Sequence, residues 1–390
     1  MSVPVLPAIA AIGCAAWAYL LLARGGFWRA VERDDDAREV ANIANWPCVT
    51  AVIPARDEAD VIGANLASLL AQDYGGPFSV IVVDDHSNDA TSDIARASGS
   101  RVTVLHAPPL ETGWTGKLAA IAHGIRHAEA LDIRPQYLLL TDADIAHASD
   151  TLRMLVARAR RDRLVLHSLM AKLDASSASE RLMIPAFVYF FAMLYPFAWV
   201  NRRQRATAAA AGGCMLVDRD ALSRAGGIAA IRGELIDDCA LARLLKSYGG
   251  IRLTLTERAR STRVYRTFGE IRRMIARTAF TQLRFSWWRA GATVVAMGIV
   301  FVAPPLIAGF AQDPLARALG AIGWAGMTLS FVPMLRFYRV SALQALALPA
   351  IATAYLALTL DSAIKHLRGR GGEWKGRVTP RAALSQSGRP

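Results

Sequence analysis

Apolar residues follow two different patterns along the chain, and these patterns separate a central region from its flanks. In residues 46–257, short apolar runs alternate with segments whose apolar residues recur every three or four positions. Short apolar runs of this kind predict buried strands, and the recurring spacing predicts amphipathic helices. The flanks instead contain long runs that are apolar at nearly every position, which is typical of helices that cross a membrane.

The central region predicts four strands separated by three helices. The predicted strands are Cys48–Ile53, Phe78–Val83, Arg101–His106 and Gln136–Thr141, and the predicted helices are Glu58–Gln72, Thr91–Ala97 and Lys117–Ala130. Apolar strands that alternate with amphipathic helices are typical of an α/β fold whose mainly parallel sheet is covered on both faces. Since ligands bind such sheets beyond the carboxyl ends of the strands, polar residues at those ends are candidate site residues.

The flanks contain four long apolar runs, Val3–Ala23, Gly291–Ala311, Ala318–Leu335 and Ser341–Ile364. Each approaches or exceeds the roughly 20 residues that a bilayer core requires. The first run lacks the basic leader of a signal peptide, and four arginines follow it within residues 24–38. By the positive-inside rule we therefore expect an uncleaved N-terminal transmembrane helix, with the central region in the cytoplasm.

Two topologies remain open for the C-terminal runs. If all three runs cross the membrane, the basic tail at 365–390 lies outside, against the positive-inside tendency. If the first of them, which Pro304 and Pro305 interrupt, re-enters on the same side, the tail returns to the cytoplasm. The residues alone do not decide between these two arrangements.

Two further segments are expected to lie at a membrane surface. The uncharged run at 182–200 is long enough to span, but a span there would place Asp142 and Asp238 on opposite sides of the membrane. Residues 258–289 contain nine arginines and one acidic residue, interleaved with large apolar side chains that include a tryptophan pair. Basic stretches with interspersed large apolar residues are typical of helices that lie in the membrane interface.

Composition supports this division of the chain. Hydrophobic residues make up 53% of the 390 residues, and the formal net charge is +13. A basic excess beside long apolar runs fits the anionic cytoplasmic leaflet, and since no nucleic-acid-binding module is recognisable, no nucleic acid partner is expected. The predicted segments are an N-terminal anchor at 1–23, a linker at 24–45, the α/β domain at 46–257, interfacial helices at 258–289, a transmembrane region at 290–364 and a basic tail at 365–390.

Acidic residues follow two of the predicted strands. Asp84 and Asp85 come directly after the second strand, and Asp142 and Asp144 come after the fourth. Two carboxylates one residue apart suit a hard divalent cation that keeps several waters and bridges phosphates. The alternative for such a triplet is a turn or a helix cap, but Asp150 and the serine before it are better placed to cap the next helix.

A glycine-containing segment, G-W-T-G-K at 113–117, precedes the third predicted helix. Lys117 and the first N–H groups of that helix are therefore candidates for contact with a phosphate. The segment is not a P-loop, because Leu118 stands where a serine or threonine would follow the lysine. A ligand-contacting loop is favoured over a plain helix start, and both remain open.

Taken in order, these motifs resemble those of the family 2 glycosyltransferases, which have the GT-A fold. The chain carries I-P-A-R-D-E at 53–58, V-D-D-H-S at 83–87 and D-A-D at 142–144, each at the end of a predicted strand. Further along it carries G-G-C-M-L-V at 212–217 and an acidic pair at 237–238. Any one of these motifs is a weak signal, but the ordered set is specific.

The resemblance implies an inverting, metal-dependent transfer of a sugar from a nucleotide-sugar donor, commonly a UDP-sugar. By this resemblance Pro54, Ala55 and Glu58 shape the first donor loop, and Asp84 and Asp85 include the carboxylate that binds the base. Asp144 and Asp142 hold Mg²⁺ or Mn²⁺ on the donor diphosphate, and Asp238 is the general base. Such a base takes the proton of the acceptor hydroxyl, and the metal offsets charge on the leaving diphosphate.

The wider arrangement resembles ceramide glucosyltransferase-like enzymes and, more closely, the bacterial hopanoid-associated (hopene-associated) glycosyltransferases. This likeness implies a lipid acceptor and a multi-pass protein of the inner cell membrane with a cytoplasmic catalytic domain. One alternative is a processive polysaccharide synthase, disfavoured because residues 282–287 displace the arginine and tryptophan of the Q-x-x-R-W signature. The other is an inactive membrane scaffold, disfavoured because the site carboxylates are present. Asp237 stands where the family usually has glutamate.

Overall fold

The computed structural model describes residues 5–34, 43 and 45–368, and the backbone of 373–374 and 377–378. These residues form two compact units, each assembled from separate stretches of the chain. The helical unit contains the described residues of Met1–Val31, Ala175–Ala198 and Tyr265–Gly371, and the sheet unit contains those of Glu32–Asp174, Trp199–Val264 and Gly372–Pro390.

Strands and helices alternate through the sheet unit, and long helices dominate the helical unit. The strands are β1 (Val49–Ala55), β2 (Phe78–Asp84), β3 (Val102–His106), β4 (Tyr137–Thr141), β5 (Ile145–His147), β6 (Leu164–Lys172), β7 (Cys214–Asp218), β8 (Gly250–Ser261), β9 (Glu373–Trp374) and β10 (Arg377–Val378). The helices are α1 (Val5–Leu22), α2 (Ala59–Leu70), α3 (Thr91–Ala97), α4 (Gly116–Glu129), α5 (Thr151–Asp162), α6 (Ala178–Leu194), α7 (Phe197–Val200), α8 (Arg219–Arg224), α9 (Asp237–Lys246), α10 (Phe268–Gln282), α11 (Trp287–Met297), α12 (Ala303–Phe310), α13 (Pro314–Phe337) and α14 (Leu348–Leu367).

Eight strands form one sheet in the order β3-β2-β1-β4-β7-β6-β8-β5. β1 pairs in parallel with β2 and β4, and β2 pairs in parallel with β3. β7 runs antiparallel to β4 and β6, β8 is parallel to β6, and β5 is antiparallel to β8. The sheet is therefore mixed and mostly parallel, which confirms the predicted α/β class, and the antiparallel strands are features that the apolar pattern did not predict.

Burial on both faces explains why the central strands have nearly continuous apolar sequences. β1 and β4 are buried at every position. On one face Ile53 packs in the same core cluster as Ile62 of α2 and Leu155 of α5. On the other face α4 approaches so closely that a Cβ on Gly124 would lie 2.5 Å from Val52 Cγ1. A glycine is needed there for close packing of the helix on the sheet.

The register of the parallel strands brings three loops to one edge of the sheet. Ala55 pairs with Asp84, and Val52 pairs with Leu140. Because these strands run in the same direction, the segments that follow Ala55, Asp84 and Thr141 leave the sheet side by side, where ligands of such folds bind.

Four segments of the helical unit are long and apolar enough to cross a membrane. They are Val5–Leu22, Trp287–Phe310, Pro314–Phe337 and Ala342–Leu367. Large apolar side chains on them stay accessible; Leu22 and Phe310 are 86% and 79% exposed, which suits a lipid surrounding. α6, in the run predicted to be interfacial, has 17 residues, and its placement at a membrane surface stays a prediction.

The basic segment 258–289 begins as a strand. β8 continues to Ser261, and α10 starts at Phe268. Arg258 on the strand pairs with Asp34 and Asp150, whereas Arg260 is 55% exposed. The register of β8 against β6 shifts between Leu255 and Arg260, so these two arginines, two positions apart, lie in different surroundings that a helical interpretation of the segment does not anticipate.

Candidate active site

Two of the loops at the sheet edge are joined by hydrogen bonds, and we call residues 54–59 and 84–91 the loop rim. The bonds between them run from the Asp57 N–H to Ser87 Oγ (3.0 Å), from the Glu58 N–H to Thr91 Oγ1 (2.8 Å), from the Ala59 N–H to Asp89 Oδ2 (3.0 Å) and from the Asn88 N–H to Asp57 Oδ1 (2.7 Å). Backbone donors at the start of α2 thus find side-chain acceptors on the neighbouring loop. Asp57 and His86 adopt left-handed backbone conformations, with φ of 50° and 58°.

The two adjacent aspartates after β2 have different surroundings. Asp84 Oδ1 accepts from the Ser87 N–H (3.0 Å), and Asp84 Oδ2 accepts from Ser92 Oγ (2.8 Å). Burial raises the pKa of Asp84, but the hydrogen bonds from both serines outweigh it and lower the pKa. Asp85 instead lies 3.3 Å from His86 Nδ1 and 4.0 Å from Arg56 Nη1. Asp84 therefore holds the shape of its own loop, whereas Asp85 contacts the side chains of His86 and Arg56.

The turn between β4 and β5 presents Asp142 and Asp144. Asn65 of α2 is fully buried and donates from Nδ2 to the Asp142 carbonyl (3.1 Å) and to the Ile145 carbonyl (2.7 Å). Thr141 Oγ1 donates to the carbonyl of Gly213 (2.8 Å), which lies immediately before β7. These buried hydrogen bonds hold the backbone of the turn in place and thereby set the positions from which its two carboxylates project.

Ion pairs connect the acidic turn to other elements, and we call Glu58, Lys117, Asp142, Asp144, Asp237 and Arg263 the ion-pair cluster. Lys117 Nζ lies 2.9 Å from Asp142 Oδ1 and 3.1 Å from Asp237 Oδ2. Arg263 Nε lies 2.8 Å from Asp144 Oδ2, and its Nη2 lies 2.5 Å from Glu58 Oε2. Each carboxylate of the acidic turn therefore has a cationic partner, and Arg263 joins the turn to the loop rim.

Both cations of the cluster stay charged in spite of their burial. Burial lowers the pKa of Lys117, but the carboxylates of Asp142 and Asp237 outweigh it and raise the pKa. Burial likewise lowers the pKa of Arg263, and Asp144 and Glu58 raise it above its ordinary value. The cluster is thus held by permanent charges at neutral pH.

The acidic pair opens α9 beside the cluster. Asp238 Oδ2 accepts from the Gly212 N–H (3.0 Å), and Asp238 Oδ1 accepts from the Cys239 N–H (2.6 Å). Burial and the neighbouring charge of Asp237 raise the pKa of Asp238 to about 6, and Lys117 partly opposes this shift. A carboxylate with a pKa near neutrality is suited to accept a proton at physiological pH.

The donor set of this edge fits a divalent metal. This edge carries two cations, Lys117 and Arg263, and five carboxylates, those of Glu58, Asp142, Asp144, Asp237 and Asp238. Burial raises the pKa of Asp142, and so does the negative charge of Asp144. A bound cation would offset the repulsion between these two carboxylates. No cage of three or more candidate ligands occurs in the described part of the chain. Mg²⁺ usually takes one or two carboxylates and completes its shell with water and phosphate.

Every residue proposed from the sequence lies in the sheet unit at this edge. Pro54 and Ala55 end β1 in full burial, and the Ala55 carbonyl accepts the Asp85 N–H (2.8 Å). Lys117 lies between the carboxylates of Asp142 and Asp237, and its contact with the donor stays a prediction. Arg263 was missed, because it is one of nine arginines in a basic segment. Asn65 was missed too, although a polar residue on the apolar face of α2 was the available signal.

Comparison with known proteins supports the fold and the class of enzyme. Residues 50–226 match the family model described as Glycosyl transferase family 2. A 4,4'-diaponeurosporenoate glycosyltransferase from Staphylococcus aureus (strain USA300) is 37% identical over 84 residues. That match covers 22% of this chain and 22% of the relative, so the chain aligns with about a fifth of the relative's length.

Among solved structures, the mannosyltransferase PcManGT from Pyrobaculum calidifontis, in complex with GDP-Man and Mn²⁺, has a TM-score of 0.51. It is 21% identical in sequence, and the superposition covers 93% of this chain and 99% of that one. Likeness at this identity shows the fold. Together with the family match, it shows the GT-A fold, in which residues 50–226 match a family 2 glycosyltransferase domain.

Proposed function

We propose that this glycosyltransferase moves one sugar from a nucleotide-sugar donor to a membrane lipid, with inversion at the sugar carbon and with Mg²⁺ or Mn²⁺. The observation that carries the proposal is the single sheet edge that holds both the acidic turn, Asp142 and Asp144, and the Asp238 carboxylate. Lys117 connects the turn to the acidic pair. Donor binding and proton removal are thereby assigned to neighbouring parts of one site.

In this mechanism Asp238 accepts the proton of the acceptor hydroxyl as its oxygen attacks the sugar carbon. The bond from that carbon to the donor diphosphate breaks, and the nucleoside diphosphate leaves. A single displacement of this kind inverts the configuration at the carbon. A divalent cation held by Asp144 and Asp142 would offset charge on the diphosphate.

The donor base is assigned to the loop rim. Asp84 is committed to its own loop by Ser87 and Ser92, so we assign contact with the base to Asp85. Pro54, Ala55 and Glu58 shape the wall opposite, through the cross-loop hydrogen bonds of the rim. A UDP-sugar is the first donor to test, and a GDP-sugar is the second because the PcManGT structure holds GDP-Man.

A lipid acceptor is supported by two observations. In the described part of the chain, four helical segments are long and apolar enough to cross a membrane. The relative from Staphylococcus aureus, matched over 84 residues, is named for 4,4'-diaponeurosporenoate, a lipid-like acceptor. The resemblance to hopanoid-associated enzymes makes a polycyclic lipid the first class to test. The arginines that follow α1 favour a cytoplasmic sheet unit in the inner membrane.

The test uses the full chain in lipid nanodiscs, a panel of UDP- and GDP-sugars, total membrane lipid and product detection by mass. We expect one sugar added per lipid, with Mg²⁺ or Mn²⁺ required and chelator abolishing the product. Asp144→Asn should lose at least 100-fold in rate, on the order expected for a lost electrostatic contact to the transition state. Asp220→Asn, a carboxylate that is 64% exposed on α8, is the control and should keep full rate. Long glycan products, or an active Asp144→Asn protein, would contradict the proposal.

A further inference from the structure

A crevice in the sheet unit is lined by residues that belong neither to the loop rim nor to the ion-pair cluster. It opens between α5 and the strands β6 and β8. Arg33 and Asp34 also line it, and the Asp34 carboxylate pairs with Arg258 at 3.5 Å. The empty volume is about 360 Å³, part of it open to solvent, whereas one water takes roughly 30 Å³ in the liquid. The crevice therefore has room for a small polyatomic ligand.

His167 of β6 lines the crevice with a ring nitrogen that can only accept. The side chain is buried, and its Nδ1 lies 3.3 Å from the Leu155 carbonyl. Because a carbonyl oxygen cannot donate, Nδ1 carries the ring proton. Burial lowers the pKa of His167 to about 4, although the hydrogen bond to Leu155 opposes this shift, so the ring is neutral at physiological pH. Nε2 is then a hydrogen-bond acceptor, and it has no partner among the described residues.

Thr254 of β8 supplies a second buried polar atom to the same crevice. In the register of β6 with β8 it lies beside Leu169, and Arg252 lies beside His167, so these residues share one face of the sheet. Thr254 is 1% exposed, and its Oγ1 has no hydrogen-bond partner within the described part of the chain. A buried polar atom without a partner costs free energy. Two such atoms on neighbouring strands therefore indicate a polar occupant of the crevice.

Two arginines give the crevice a positive charge that nearby carboxylates offset only in part. Arg158 of α5 donates from Nε to Asp162 Oδ2 (2.7 Å). Arg252 Nη2 lies 3.9 Å from Glu32 Oε2, which is too far for a hydrogen bond. Burial lowers the pKa of Arg252, and the charge of Arg158 lowers it too. The two guanidinium groups therefore repel each other, and an anion bound to both would offset this repulsion.

We propose that this crevice binds a phosphate dianion that also carries a hydroxyl group, either inorganic phosphate or the phosphomonoester of a polyol. The phosphate oxygens accept hydrogen bonds from Arg158, Arg252 and the Thr254 hydroxyl, and the hydroxyl group of the ligand donates to His167 Nε2. An oxyanion without an O–H, such as sulfate, leaves Nε2 unpaired, so the site distinguishes the two ions by one hydrogen bond. The inference does not depend on the proposed function, because it uses none of the residues assigned to sugar transfer.

The test is calorimetric titration of the full chain in phosphatidylcholine nanodiscs, without nucleotide or divalent cation. The probes are inorganic phosphate, glycerol 3-phosphate and sulfate. At about pH 8 all three are dianions, but only sulfate lacks a hydroxyl group. We expect inorganic phosphate or glycerol 3-phosphate to bind about tenfold or more tightly than sulfate, the order expected when one buried acceptor is left unpaired. The tighter of these two probes identifies the source as free phosphate or a phosphomonoester.

Variants of the lining residues assign the binding to this crevice. Arg252→Met should weaken phosphate binding by about tenfold or more, because charge-assisted hydrogen bonds are lost, whereas Arg126→Met removes an exposed cation of α4 and should change nothing. His167→Phe keeps a planar ring without the acceptor, so the preference for phosphate over sulfate should fall to about threefold or less. Thr254→Val should weaken the binding of both ions by about threefold. Thermal unfolding without ligand shows which variants are folded, and Thr254→Val serves if His167→Phe does not fold.

Three results would overturn the inference. A wild-type protein that binds none of the probes at about 10 mM would show that the crevice holds only water. Equal affinity of the wild-type protein for phosphate and sulfate would exclude the hydrogen bond to His167 Nε2. Phosphate binding that is lost in Lys117→Met and kept in Arg252→Met would assign the anion to the ion-pair cluster instead. Because each result is read from binding without sugar transfer, the inference and the proposed function fail separately.

Discussion

The loop rim and the ion-pair cluster lie at the same sheet edge but are held together differently. The rim is joined by hydrogen bonds between residues about 30 positions apart, such as Asp57 with Ser87 and Ala59 with Asp89. The cluster is joined by charges from distant parts of the chain; Arg263 reaches Glu58 across 205 positions. The rim therefore has a shape that hydrogen bonds to backbone N–H groups maintain, whereas the cluster has a charge balance that a ligand can change.

This difference predicts different consequences when each region is broken. Changes in the cluster should act on the chemical step or on donor affinity, because its charges are the groups that a donor and metal would meet. Loss of the cross-loop hydrogen bonds of the rim should act mainly on stability, because those bonds satisfy backbone groups at helix starts.

The largest effect is expected at Asp238, next to the cluster. Asp238→Asn should lower kcat by about 1,000-fold, within the range for loss of a general base, with donor KM changed little. The measurement is the rate of sugar transfer at saturating donor. A variant with more than a tenth of wild-type kcat would remove Asp238 from the mechanism.

The same variant should become more stable relative to the wild-type protein as pH rises. The native pKa of Asp238 is raised to about 6, above the ordinary value of about 3.9. Its contribution to stability is therefore complete below pH 4 and is lost as pH rises through 6, a loss of about 2–3 kcal/mol. Relative to wild type, the melting temperature of Asp238→Asn should improve between pH 4 and pH 7; a constant difference would show that the pKa is not raised.

An intermediate effect is expected where Arg263 joins the cluster to the rim. Arg263→Met leaves Glu58 and Asp144 without their shared partner, so we expect about a tenfold rise in donor KM and a smaller change in kcat. Arg263→Lys should not restore the affinity, since a lysine lacks the planar fork that meets two carboxylates. Arg260→Met, on an arginine that is 55% exposed, is the control. Equal behaviour of the two methionine variants would exclude a link through Arg263.

The smallest effect on activity is expected within the rim. Asp89 accepts the Ala59 N–H and the Thr91 N–H, each at 3.0 Å, so Asp89→Ala should lower the free energy of unfolding by about 1–2 kcal/mol. The kcat should stay within about threefold of wild type. Asp93→Ala, at a carboxylate that is 84% exposed, is the control in thermal unfolding. A large loss of kcat in Asp89→Ala with unchanged stability would show that the rim takes part in the chemical step.

The fold was largely predictable because its central strands are buried on both faces. The predicted helix at Thr91–Ala97 agrees with α3 at both ends, and the predicted strand Cys48–Ile53 differs from β1 by one and two residues at its ends. β5 has three residues, too few to form a recognisable pattern. β7 pairs antiparallel with β4 and with β6. The sequence of β7 itself does not indicate the direction of either pairing.

The site was predictable where a motif marks a strand end and unpredictable where partners are distant. Asp84 and Asp85 are adjacent in sequence, but only the serines at 87 and 92 show that Asp84 serves its own loop. The contacts of Lys117 depend on α9, more than 100 residues later. Such pairings follow from the sheet order, which no local pattern of residues specifies.

The central claim is that Asp238 acts as the base at an edge that also holds the donor. It is tested most directly by single-turnover sugar transfer from pH 5 to pH 8, with the full chain in nanodiscs and donor and Mg²⁺ saturating. The account predicts that the wild-type rate rises about tenfold with a midpoint near pH 6, the pKa of Asp238, and that Asp238→Asn gives a flat profile near background. A wild-type profile without a limb near pH 6, or a variant that keeps the same limb, would contradict it.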